Sequence, residues 1–573
     1  MSNPDFTRIN TDVLIIGAGG AGLRAAVEAF DQGASVTVVS KSLLGKAHTV
    51  MAEGGIAAAL GDVDPQDNWK VHFSDTIVEG VYISDWRLVE KLAKEAPDRV
   101  FELEKFGALF DRTPEKKIMQ RAFGAHTYRR LCHVGDKTGL EIIRTLEEQA
   151  LHRDIRIMDE VFITTLIVED KEVLGAVGFK LRTGEIVAFQ AKTVIIAAGG
   201  CGRLYKVTSN SWETTGDGIA LAFQAGAVMQ DMEMIQFHPT GMVWPPGVKG
   251  LLVTEGVRGE GGILLNAKGD RFMLTYSPKK KELDARDVVA RAIYHEIIEG
   301  RGTEHGGVYL DISNKGEAFI KKKLPGMYMQ FKEFAGVDIT KDKMEVAPTV
   351  HYYMGGIRVD PETSQSNIDG LFAVGEAAAG VHGANRLGGN SLADLLVFGK
   401  QVGLAAAKYA KKSKEKKISD KTVKDEISRI NAFLNKQSPV NPYSLTDRLR
   451  EAMSKYAGII RNENDLLMLL KEIREMKKQY RDVGVGGGIK YNPGLVQCFE
   501  LGNMLTIGEL LAMSALERKE SRGAHFRSDY QKKSKQWKKN ILCVKFGDKV
   551  RLATSKVKEM PPELKKLVPE EVY

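Results

Sequence analysis

The pattern of apolar and polar positions changes character several times along the chain. Residues 12–16 form a short apolar run of the kind that makes a buried parallel strand. A GAGGAG loop follows, then a helical pattern from 21 to about 32, closed by Gly33, and a second strand over 34–40. This βαβ unit predicts a Rossmann-like core whose helix N-terminus presents free N–H groups to a pyrophosphate. A G-x-G-x-x-G alone is weak, but here it follows a strand and opens a helix, the context it requires. Two later apolar runs, 193–200 and 370–376, also end in glycines and are read as returning to the same sheet.

Between about 234 and 348 the pattern breaks into short strands, turns and an amphipathic helix over 285–299. This predicts an α+β capping domain inserted into the nucleotide-binding fold. From about 411 the chain turns helical. Leu445, Leu449, Met453, Tyr456 and Ile460 make one stripe, Leu466, Leu469, Leu470, Ile473 and Met476 a second, and Met504, Ile507, Leu511 and Leu516 a third. The expected architecture is therefore α/β. A discontinuous cofactor domain (1–233 and 349–410) carries the cap (234–348), a helical bundle (411–535) and a small C-terminal domain (536–573).

Composition adds limits. At 573 residues the chain exceeds what one core fills. The net charge of +8 comes largely from lysine-rich stretches at 408–417 and 532–539, which read as solvated surface; without interleaved aromatics they do not suit nucleic acid. The four cysteines include no C-x-x-C pair, against a disulfide framework, an iron–sulfur cluster or a metal site in this chain, so a reducing compartment is expected. No apolar run approaches bilayer length, and the first strand begins too early for a leader peptide.

The motifs, taken in order, are GAGGAG (17–22), HTVMAEGGIA (48–57), TTGDG (214–218), QFHPTG (236–241), LVTEGVRGEGG (252–262), ARDVVAR (285–291), HYYMGGI (351–357), HGANRLGGNSL (382–392) and ESRGAHFRSD (520–529). In this series the chain resembles the flavoprotein subunits of succinate dehydrogenase and quinol:fumarate reductase over essentially its whole length. The resemblance implies FAD held by Gly17, Ala18, Gly19, Gly20, Ala21, Gly22, Thr49, Gly54, Gly55, Ala198, Gly199, Asp217, Ser391 and Leu392. Ser40 and Lys41 end the second strand where an acidic ribose ligand is usual; Ser40 is expected on the ribose and Lys41 near phosphate. Glu376 suits ribityl or ribose hydroxyls.

His48 alone would read as a core histidine; the resemblance implies a covalent bond to the flavin 8α-methyl, raising the flavin potential. A dicarboxylate needs two anion clamps. Arg386, flanked by glycines, is expected on one carboxylate with His351, and His238 with Thr254 on the other. The resemblance makes Arg286 the acid/base, relayed through Glu255 and Arg258. Asp284 reads as the N-cap that places Arg286 in the first turn of its helix, where the positive helix end opposes its extra proton.

The implied activity is interconversion of succinate and fumarate, with electrons passing first to an iron–sulfur subunit, then to a membrane anchor with quinone. The chain would sit peripherally at the cytoplasmic face of the membrane through those partners. Two other readings stand beside it: a stand-alone L-aspartate oxidase, whose kind lacks the flavin-linking histidine, and a non-catalytic flavin-binding assembly subunit. Glu53, as a carboxylate near the flavin, would lower its potential and lean towards fumarate reduction, whereas ARDVVAR resembles the dehydrogenases.

Overall fold

Strand Thr7–Ile16 lies near the middle of the main sheet of the computed structural model, which describes residues 6–415, 417–436 and 439–573. Lys416, in the first basic stretch, lies outside the described residues. The strand pairs in parallel with Val36–Val39 on one side and with Ile186–Ile196 on the other. Ile186–Ile196 is long enough to serve two further neighbours. Its first half pairs antiparallel with Glu172–Lys180, and its last residues pair in parallel with Leu371–Ala373. Four parallel strands therefore finish at one edge, at Gly17, Ser40, Ala197 and Val374, which is where a doubly wound sheet leaves its ligand crevice. Helix Gly20–Asp31 covers one face and packs against Asn390–Lys412. The bounds of helix Gly20–Asp31 and strand Val36–Val39 differ from the sequence expectation by one or two residues, the usual uncertainty of element ends. Thr7–Ile16 and Ile186–Ile196 begin well before the runs at 12–16 and 193–200, because their first halves pair with each other.

The middle of the chain forms an antiparallel sheet in the order Ile235–Met242, Met344–Tyr353, Val308–Asp311, Ile263–Leu265. Its own core includes Val253, Leu264, Phe272 and Ile293, the last from helix Arg286–Glu296. Asp284 is not that helix's N-cap. Ala285 holds the position, and Asp284 sits one residue earlier, accepting from the Ala285 N–H and the Ser277 hydroxyl. Arg286 is nevertheless the first residue of the helix.

The C-terminal region has the three helices expected, Pro442–Tyr456, Glu463–Tyr480 and Pro493–Glu517, and a fourth, Asp420–Leu434, that the stripes did not separate. Ile460 falls beyond the first of these helices. Pro493–Glu517 is buried on nearly all sides, so a single stripe understates it. The hairpin Lys539–Phe546/Lys549–Lys556 extends a four-stranded sheet through Met229–Gln230. No helix among the described residues is long and apolar enough to cross a membrane.

Candidate functional site

A cleft of about 230 Å³ runs along the edge where the parallel strands end. Its wall brings together Gly17, Ala18, Gly19, Gly20, Ala21, Ser40, Lys41, His48, Thr49, Gly54, Gly55, Ala198, Gly199, Asp217, Glu376, Ser391 and Leu392. At its far end stand His238, Thr254, Glu255, Arg286, His351 and Arg386. Of the residues singled out in the sequence, Gly22 and Arg258 stand behind this wall. Gly22 is there because a Cβ would lie 1.9 Å from the Gly17 carbonyl oxygen, and Gly17, at φ +116°, would drive a Cβ to 2.2 Å from the Ala197 carbonyl oxygen. The glycine loop thus brings backbone rather than side chains to the cleft, with the Gly17 N–H taken up by the Val39 carbonyl.

Several details differ from expectation. Lys41 is not free for a phosphate: its Nζ donates to Asp217 (2.7 Å), Glu500 (2.8 Å) and Thr215 (2.9 Å). Asp217 is equally engaged, since its other oxygen accepts from Asn503 at 2.8 Å. Both line the cleft, but as members of a buried ion cluster in which burial is outweighed by the two carboxylates and the Lys41 pKa is raised. Thr49 Oγ1 accepts from the Gly20 N–H, occupying one amide of the first helical turn. The Glu376 carboxylate accepts from the Tyr353 N–H, and burial pushes its pKa up to about 7.

Burial weighs against the charge attributed to Glu53. One of its oxygens is buried without a partner among the described residues, and burial, followed by the neighbouring Asp136, raises its pKa well above the carboxylate range. A raised pKa disfavours the negative form beside a flavin.

His48 sits in a short helical turn, His48–Met51. Its Nδ1 accepts from the Ser211 N–H at 3.2 Å, and Nε2 lies 3.1 Å from the Asn210 side-chain nitrogen. Burial, with Arg203 nearby, lowers its pKa to about 4, so the ring is neutral.

At the far end the two arginines meet over one acceptor. Arg286 Nη1 and Arg386 Nη2 each donate to Gln236 Oε1 at 3.1 Å. Arg286 Nε also donates to Glu255 Oε2 at 2.8 Å, while Arg386 Nη1 donates to Ser391 Oγ at 3.1 Å. Arg386 lies over the Tyr352 ring, 4.5 Å from its centroid, and its buried Nε has no partner among the described residues. Burial, then Arg286, holds the Arg386 pKa down to about 9. Burial pushes Glu255 up, but Arg286, Arg258 and the Gly124 N–H outweigh it and its pKa is lowered. Arg258 stands 3.7 Å from Glu255 and donates to the Glu282 carbonyl. His238 and His351 face each other with ring centroids 5.0 Å apart. Burial, with the surrounding cations, depresses both well below the usual imidazole range, so they act as neutral donors or acceptors.

The sequence reading missed Gln236, the shared acceptor. It lies two residues before His238 on strand Ile235–Met242, and the period of two puts both on one face of the strand. It also missed Glu500 and Asn503, which reach the cofactor end from the helical region. Nothing local in the sequence marks those two.

The crevice position, the glycine loop and the buried cationic end together suit a dinucleotide-cofactor oxidoreductase with an anionic substrate. Comparison with known proteins agrees. Residues 12–392 match the family model described as FAD binding domain, and residues 446–569 match that described as Fumarate reductase flavoprotein C-term. The chain is 49% identical to a component of the fumarate reductase (CoM/CoB) of Methanothermobacter marburgensis, covering 93% of this chain and 96% of that one. It is 40% identical to the succinate dehydrogenase flavoprotein subunit of Rickettsia bellii, covering 93% and 92%. A solved structure, Mycobacterium smegmatis Sdh1 in complex with UQ1, superposes with a TM-score of 0.87 at 50% identity, covering 97% and 96%. The chain belongs to the FAD-dependent flavoprotein family of succinate dehydrogenases and fumarate reductases.

Proposed function

We propose that the protein interconverts succinate and fumarate. The observation that carries this is the pair of buried arginines converging on Gln236, one of them with no carboxylate partner, beside two neutral histidines. A buried cation left unpaired is costly, and an anionic ligand relieves that cost. Arg386 with His351 would clamp one carboxylate and His238 with Thr254 the other. FAD, when bound, supplies the two-electron acceptor or donor for the hydride. In the fumarate-reducing direction Arg286 donates the proton to carbon and is reprotonated through Glu255, the carboxylate bonded to its Nε, with Arg258 behind. In succinate oxidation the same groups run in reverse. The neutral His48 ring, oriented by the Ser211 N–H, suits a covalent link to the flavin at its other nitrogen.

Electrons would leave through an iron–sulfur subunit, then a quinone-binding membrane anchor, with this chain peripheral at the cytoplasmic face. The four cysteines are buried, with no grouping of cluster or metal ligands among the described residues, and the solved Mycobacterium relative carries UQ1 in its complex. The Methanothermobacter relative's name favours fumarate reduction as the working direction. The purified chain is expected to reduce artificial dyes with succinate but to show negligible quinone reduction until those partners are added. Full-rate oxidation of L-aspartate or succinate by oxygen would instead support the stand-alone oxidase. Absence of any turnover despite bound FAD would support the assembly-subunit reading.

A further inference from the structure

Behind the two arginines lies a second layer that the mechanism above does not use. Asn385, buried at 1% exposure immediately before the clamp arginine, has both N–H groups and one lone pair of its side chain engaged. Its Nδ2 donates to Glu79 Oε1 at 2.7 Å and to Asp287 Oδ1 at 3.0 Å, and its Oδ1 accepts from Gln236 Nε2 at 2.8 Å. Gln236 Nε2 also donates to the Arg386 carbonyl at 2.9 Å, and its Oε1 takes both guanidinium groups.

The groups at the two ends leave each amide a single orientation. Glu79 and Asp287 present acceptor oxygens, and the guanidinium groups present only donors. Turning either amide over would set N–H against N–H at one end and oxygen against oxygen at the other. The chain of bonds therefore runs in one direction, from carboxyl oxygens through Asn385 and Gln236 to the arginines, and each bond polarises the next. It also joins three elements. Glu79 ends helix Trp69–Glu79 of the cofactor core, Asp287 follows Arg286 on the first turn of the cap helix, and Asn385 belongs to the loop carrying Arg386.

We propose that Asn385 is a positioning residue that fixes the cap helix bearing Arg286 against the loop bearing Arg386, and so sets the proton donor relative to the carboxylate clamp. This rests on the succinate/fumarate reading of the site. Positioning to within an ångström matters because a misplacement of that size costs on the order of 100-fold in rate.

The test uses the FAD-loaded protein, with kcat, KM and the solvent deuterium isotope effect measured for fumarate reduction and dye-coupled succinate oxidation. Asn385→Leu keeps the branched shape at Cγ and removes all three bonds. It is expected to retain FAD, to lower kcat by at least about tenfold, and to raise the solvent isotope effect as proton transfer becomes limiting. Asp287→Asn keeps an acceptor oxygen towards Asn385 while giving up the ion pair of its other oxygen with Arg291 at 2.8 Å, and should retain most of the wild-type kcat, whereas Asp287→Leu should reproduce the Asn385→Leu loss. Asn385→Leu within twofold of the wild type overturns the inference, as does a loss of activity with an unchanged isotope effect, which marks a merely structural role. Should Asn385→Leu fail to load FAD, the Asp287 pair decides, and equal activity of its two members overturns the inference. A wild type without succinate or fumarate turnover would fail the functional reading itself and this inference with it.

Discussion

Replacing Arg386 by Met should move stability and affinity in opposite directions. The guanidinium is buried, paired with no carboxylate, and repelled by Arg286. A pKa held down to about 9 from an ordinary 12.5 corresponds, at about 1.4 kcal/mol per pH unit, to a penalty on the order of 5 kcal/mol for keeping this charge in the ligand-free fold. The bonds to Gln236 and Ser391 and the contact with Tyr352 offset part of that penalty. Met fills a similar volume without charge, so the ligand-free variant should melt no lower than the wild type, and higher if the full penalty is released. Ligand binding should suffer the reverse. Truncating one partner of a buried charge pair costs about 2–5 kcal/mol, or about 30- to 4000-fold in Kd at 1.4 kcal/mol per decade. Thermal melts with and without fumarate, beside equilibrium titration of fumarate, read both quantities on the same FAD-loaded protein. A variant that melts well below the wild type while binding fumarate normally would refute the account, since Arg386 would then be a structural cation.

Arg286→Gln should abolish turnover in both directions, by at least about 1000-fold, while fumarate still binds, because only the proton donor is lost; parallel loss of binding and turnover in a fumarate titration would reassign it. His48→Ala should keep FAD, held by the glycine loop, but release it on acid precipitation, and succinate oxidation should fall far more than fumarate reduction; complete acid release of flavin from the wild type would count against the covalent link. Glu376 is a carboxyl whose folded pKa is raised to about 7, so its contribution is fully present below about pH 4.5 and is lost as pH rises through 7. Glu376→Gln should remove that part of the stability change between pH 4.5 and 7, seen as the difference between wild-type and variant denaturation midpoints; identical profiles would mean the group is not buried as an acid.

Much of the fold was legible because it rests on local rules. The strand–glycine–helix opening, the glycine-terminated strands at 193–200 and 370–376, and the stripes of Leu445, Leu466 and Met504 each carry their signal within a few residues. The site was legible as motifs, and the structure gathers their residues along one cleft. What the sequence could not carry was pairing across distance. Lys41 read as a phosphate neighbour because its partner Glu500 is remote in the chain. Glu53 read as a charge because burial, which raises its pKa, is a property of the assembled wall. Asp284 read as a cap because the residue type is right, although the helix begins one step later. Gln236 was within reach, two positions before a residue already singled out, but an amide draws no notice until two arginines are seen to share it.

The ion cluster of Lys41, Asp217, Glu500 and Asn503 has a consequence for timing. A nascent chain emerging N-terminus first presents its dinucleotide loop almost at once, yet two members of the ion cluster beside that loop come from a helix made near the end of synthesis. Until that helix docks, Lys41 and Asp217 have each other but lack Glu500 and Asn503. The last long helix to be made thus completes a cluster whose first member, Lys41, lies near the start of the chain.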